Sequence, residues 1–212
     1  MPVFLLSTGS LLTGAAYLWW KLKKGGWPVI VFKATATLCL VALAFVLAPT
    51  QGRLYQTAII VGLACSTTGD VLLALSRRVF VAGMLAFSLA HVAYIYAFTR
   101  ITHLGLNALL LPVLVYAAAT VAYLWPHLGR LRPAVAVYAL LISLTVYSAW
   151  NGWLAARSSA SLAAAAGASL FVVSDTFTSV RRFVGDRDAW QILGTATYLP
   201  AQWLIALSCG LR

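Results

Sequence analysis

The chain has 212 residues, of which 62% are hydrophobic and only 9% charged, and its mean hydropathy is +0.91. A soluble globule carries about 25% charged residues, so this composition excludes a water-facing surface over most of the molecule. Lys and Arg number 15 against four acids, all of them aspartate, for a net charge of +11. With no glutamate, HExxH zinc proteases and EF-hand calcium loops are excluded as well.

A helix needs about 20 apolar residues to cross a bilayer. Eight windows qualify in chain order: 3–20, 28–48, 56–75, 79–99, 104–124, 134–151, 160–180 and 189–209. They are apolar all round, without the alternation that a membrane barrel strand requires. The sequence therefore predicts an all-α bundle of eight transmembrane helices forming a single domain over 1–212. No basic residue precedes the first window, and Lys21, Lys23 and Lys24 follow it. That order predicts a retained span rather than a cleavable signal peptide.

The loops after the odd-numbered spans hold ten basic residues, among them Lys21, Arg77, Arg130, Arg181 and Arg182, and the opposite side holds four. The positive-inside rule makes the odd loops cytoplasmic and both termini non-cytoplasmic. The expected setting is a multi-pass protein of a bacterial inner membrane or a eukaryotic endomembrane. The positive charge then meets anionic lipid headgroups, and nucleic acid is not an expected partner. Trp19, Trp20, Trp27, Tyr55, Trp125, Trp153 and Trp190, near span ends, read as interfacial anchors. Cys39, Cys65 and Cys209 lie inside spans without ligand spacing and read as small buried hydrophobes.

Ionisable groups within a span are costly and mark function by default. Lys33, Asp70 and Asp175 are the three. Asp70 stands seven residues before Arg77 and Asp175 six before Arg181, which puts both about 10 Å inside the cytoplasmic boundary. Lys33 enters from the same side to a similar depth. Three charges at one level on separate helices predict a shared polar pocket, although an ion-pair network that only staples helices would leave the same trace. Gly69-Asp70 followed by Arg77-Arg78, and Ser174-Asp175 followed by Arg181-Arg182, are related, and Asp175 lies 105 positions after Asp70. Spans three and seven run the same way, which points to two four-helix halves in parallel orientation.

Other polar residues recur at helical spacing. Gln191, Thr195, Tyr198 and Gln202 form one stripe in span eight, Ser88, His91 and Tyr94 another in span four, and Ser143, Tyr147 and Asn151 a third in span six. All three are expected to face the pocket. No GxSxG elbow is present, and the three histidines share no metal-ligand spacing. Carboxylate chemistry remains: a pair of acids can divide into proton donor and base, as in glycoside hydrolysis. A pocket inside the bilayer selects an amphipathic substrate.

Lys33, Gly69-Asp70-Val71-Leu72-Leu73, Phe80…Gly83…Phe87…His91…Tyr94, Ser174-Asp175…Phe183 and Tyr198…Gln202 together resemble the YhhN/lysoplasmalogenase family of eight-helix membrane proteins. The likeness runs from span two to span eight. Thr176-Phe177-Thr178 departs from it, being more polar and bulky than the usual aliphatic stretch. The resemblance implies an ether hydrolase that cleaves the vinyl-ether bond of lysoplasmalogens to a fatty aldehyde and a glycerophospho-ethanolamine or -choline. On that reading Asp70 and Asp175 are the catalytic pair, with Asp70 favoured as base and Asp175 as acid. Lys33 neutralises a carboxylate or meets the phosphate. His91, Tyr94, Tyr198 and Gln202 orient water and glycerol oxygens, and no metal or organic cofactor is needed. The rival reading is a proton-coupled transporter, because intramembrane Asp, Lys and His also build proton relays.

Overall fold

The computed structural model describes residues 1–23, 25–102 and 105–212, with the side chain of Arg77 excepted. Lys24 and the first residue of the expected span 104–124 therefore lie outside the described residues. Eight α-helices follow one another: α1 (Pro2–Lys23), α2 (Trp27–Val46), α3 (Arg53–Leu75), α4 (Phe80–Thr99), α5 (Leu110–Leu124), α6 (Arg132–Ala156), α7 (Ser159–Phe183) and α8 (Asp188–Leu207). Among the described residues, seven segments are long and apolar enough to cross a membrane. The exception is α8, whose Gln191, Thr195, Tyr198 and Gln202 lower its hydropathy. Those four side chains are buried inside the bundle, so α8 hides its polarity from lipid.

Local chemistry sets the helix ends. Pro28 and Pro133 occupy first turns, where a missing N–H costs nothing. Ser158 and Ser161 cap α7 reciprocally. Arg157, at φ 50°, turns the chain left-handed after α6. The expected fifth span shortens at its start, because residues 105–109 form no helix. Tyr147 and Asn151 of α6 serve that connection: Tyr147 donates to the Gly105 carbonyl at 2.5 Å, and Asn107 donates to Asn151 at 2.6 Å. These two therefore do not face the pocket as expected; they tie down a loop at the other end of the bundle.

The packing has the symmetry of two halves. α3 packs on α4 as α7 packs on α8, and α2 of the first half meets α8 as α6 of the second meets α4. Gly62 and Gly167, also 105 positions apart, both stand at close helix contacts. A Cβ at Gly62 would strike the Tyr94 ring, and one at Gly167 would lie 2.8 Å from the Ala201 carbonyl oxygen. Large apolar side chains such as Phe4, Leu12, Phe45, Leu89 and Leu111 point outward, as lipid-facing positions should. Trp19, Trp27 and Trp125 are exposed. Tyr55 is not an anchor: it is fully buried and shares a 2.7 Å hydrogen bond with Ser208.

Candidate active site

α3 carries Asp70 into the interior with 1% of its surface exposed. A lone buried carboxylate would be severely destabilising, and it persists only when paired and hydrogen-bonded. Both conditions are met. Lys33 Nζ, from α2, lies 2.7 Å from Oδ1, and Tyr198 of α8 donates to Oδ2 at 2.7 Å. The Tyr198 oxygen in turn accepts from Gln202 Nε2 at 3.1 Å, and Gln202 Oε1 accepts from Tyr94 at 2.8 Å. Lys33 also sits over the rings of Tyr17 and Tyr198, at 5.6 and 5.5 Å.

α7 presents Asp175 to the same space, and the Tyr138 hydroxyl of α6 donates to its Oδ2. The Tyr138 oxygen also shares a 3.3 Å hydrogen bond with His91 Nε2. His91 Nδ1 lies 3.1 Å from Thr145 Oγ1, which itself donates to the Leu141 carbonyl at 2.9 Å. Each aspartate thus ends a row of hydrogen-bonded side chains. One difference separates them: Asp70 has a cation, whereas Asp175 forms no ion pair among the described residues.

Asp70, Asp175, Lys33 and Tyr198 line one hollow. The stripe on α8 contributes Gln191, Thr195 and Tyr198. The mouth carries Lys21, Arg181, Arg182 and Trp190; Arg182 lies 4.5 Å over the Phe80 ring and Trp190 stacks on Phe177. Four basic side chains against two acids leave the lining cationic, which suits an anionic group at the mouth. Among the described residues, Gln191 Oε1 is buried there without a hydrogen-bond partner.

His91, Tyr94 and Gln202 do not line the hollow. They stand one row behind it, where they orient Tyr138 and Tyr198. Ser88 turns back to the Met84 carbonyl. Tyr138 was not anticipated from the sequence, yet it lies 105 positions after Lys33, the same offset that relates the aspartates. Among the described residues no three His, Cys, Asp or Glu side chains gather as metal ligands.

The YhhN family model matches residues 29–209, a span that contains every lining residue just named except Tyr17 and Lys21. The chain belongs to the YhhN family. Lysoplasmalogenase TMEM86A of Bos taurus is 35% identical over 90% of this chain and 82% of its own length. Human lysoplasmalogenase TMEM86B is 33% identical over 90% and 79%. The lysoplasmalogenase of Mycobacterium tuberculosis is 32% identical over 94% and 73%. No solved structure matches this YhhN protein. The resemblance seen in the sequence, the helical membrane fold and the pocket shared by Asp70 and Asp175 therefore agree.

Proposed function

We propose that this protein is a membrane-embedded lysoplasmalogenase. The observation that carries the reading is the meeting of Asp70 and Asp175, from the two halves of the chain, in one hollow with a cationic mouth. The names of its relatives support the same reaction class.

The vinyl ether R–CH=CH–O–R′ is hydrolysed by protonation at carbon, not oxygen. Asp175, with a neutral Tyr138 as its partner, gives its proton to the carbon β to the ether oxygen. The double bond's electrons take that proton and leave an oxocarbenium ion at C1. Asp70, kept anionic by Lys33, stabilises the cation and takes a proton from the water that adds to C1. In the collapse of the hemiacetal, Asp70 returns its proton to the glycerol oxygen and Asp175 recovers one from the hemiacetal hydroxyl. The C1–O bond to glycerol breaks, aldehyde and alcohol leave, and both carboxyl groups are reset. Tyr138 and Tyr198 hold the two acids in place.

Lys33 is held deep in the hollow by Asp70, and the substrate phosphate is assigned to the mouth, where Lys21, Arg182 and Arg181, itself 3.4 Å from Asp186, stand. The positive-inside rule sets this mouth at the cytoplasmic face. Purified Asp70→Asn and Asp175→Asn, each shown to be folded, should lose a factor of about 10² to 10⁴ in aldehyde release. Full activity in either removes that residue from the chemistry. Solute uptake into proteoliposomes without aldehyde production would favour the transporter reading.

A further inference from the structure

Three cavities of this bundle lie in a row, each sharing lining residues with the next. Val135, Tyr138, Asp175 and Ser179 line the polar hollow and also a second space of about 410 Å³ between α5, α6 and α7. Tyr116, Ser143 and Val172 line that second space and also a third, of about 720 Å³, walled otherwise by apolar residues including Leu109, Pro112 and Trp150. The row leaves the hollow at Asp175 and runs along α6 towards the opposite face. From Tyr138 to Trp150 it covers twelve residues of helix, about 18 Å.

Its outer wall is the least embedded helix of the bundle. Leu124 is the only buried residue of α5, and Leu111, Val115 and Tyr123 are exposed. A 2.8 Å hydrogen bond between Tyr116 and Thr176 ties α5 to α7. Thr176 is one of the residues by which this chain departs from an aliphatic stretch, so the polar substitution here has a partner.

We infer that this groove binds the hydrocarbon chain of the substrate and thereby places the scissile bond against Asp175; this rests on the hydrolase reading above. The reason is geometric. A vinyl ether is the junction between a polar glycerophosphate end and an apolar chain. Such a molecule settles with that junction where a polar cavity meets an apolar one. The two cavities meet at Asp175 and Tyr138, the residues assigned to deliver the proton. Burial of successive methylenes in the groove holds the reacting carbon in register, and each contributes until the chain passes Trp150. The residues that the groove shares with the hollow, Asp175 and Tyr138 among them, favour this occupant over a bulk lipid tail, which has no polar end to place at Asp175.

The test compares lysoplasmalogens that share a headgroup and carry a hexenyl or a hexadecenyl chain, using the purified full-length protein. Wild type should prefer the long chain in kcat/KM. Val172→Phe, which fills the groove midway, should lower that long-to-short preference about tenfold, the weight of two buried methylenes. Ser143→Leu, from the facing helix, should do the same and serves if the first variant does not fold. Binding of saturated-ether lysophospholipids of the two lengths, measured by calorimetry, should show the same split without any turnover. If no alkenyl lipid is cleaved by wild type, the hydrolase reading fails while the calorimetry still decides the groove. Preference that both variants leave untouched, or affinity indifferent to chain length, means that ordinary bilayer lipid fills the space and overturns the inference.

Discussion

Lys33 and Asp70 form a 2.7 Å ion pair in which the carboxylate is sealed from solvent and the ammonium side chain stays 21% exposed on the wall of the hollow. Removing one partner of such a pair leaves an uncompensated charge, whereas replacing both with apolar groups does not. Lys33→Met should therefore destabilise the protein by about 3 kcal/mol and abolish turnover. The double variant Lys33→Met with Asp70→Leu should recover most of the lost thermal stability in detergent and none of the activity. A single variant as stable as wild type would show that the pair carries no structural weight.

Tyr138 stands beside Asp175 in the position that Lys33 holds beside Asp70. Tyr138→Phe removes the hydrogen bond to the acid and the partner of His91 Nε2. Turnover should fall ten- to a hundredfold, in proportion to a lost hydrogen bond to a carboxyl group, with little change in KM. A KM effect without a kcat effect would place Tyr138 in substrate binding instead.

The cationic mouth has its own signature. Arg181→Ala and Arg182→Ala should raise KM for phosphate-bearing lysoplasmalogens about fivefold, the weight of a partly solvated charge pair. Added salt should blunt the difference. An alkenylglycerol without phosphate should not discriminate between the variants and wild type; equal losses on both substrates would assign these arginines a structural part.

Gly167 tests the packing apart from the chemistry. Its Cβ would press on the backbone oxygen of Ala201, which cannot rotate away. Gly167→Ala should cost about 1–3 kcal/mol and separate α7 from α8. A melting temperature equal to that of wild type would mean that the two helices are not held at this distance.

Much of this was readable from residue types alone, for a physical reason. A charge in hydrocarbon is so costly that Lys33, Asp70 and Asp175 stand out in any span, and similar distances of the two aspartates from their flanking arginines pointed to a common depth. Radial position left no such trace. A helical stripe shows that His91, Tyr94 and Gln202 face inward, but not that Tyr138 and Tyr198 stand between them and the hollow. Tyrosine is common near span ends, so Tyr138 carried no signal of its own beyond the 105-residue offset from Lys33. Tyr55 and Asn151 misled for a related reason: a polar group near a helix end satisfies a loop or a neighbouring helix as readily as an interface or a pocket.

Hydrolysis in deuterated water measures the central claim most directly, because protonation at carbon writes itself into the product. Wild type should release aldehyde with a single deuterium on the carbon next to the carbonyl, and Asp175→Asn and Asp70→Asn should each release about a hundredfold less or lower still. Aldehyde formed at the wild-type rate by Asp175→Asn, or formed without deuterium at that carbon, would contradict carbon protonation by the paired aspartates.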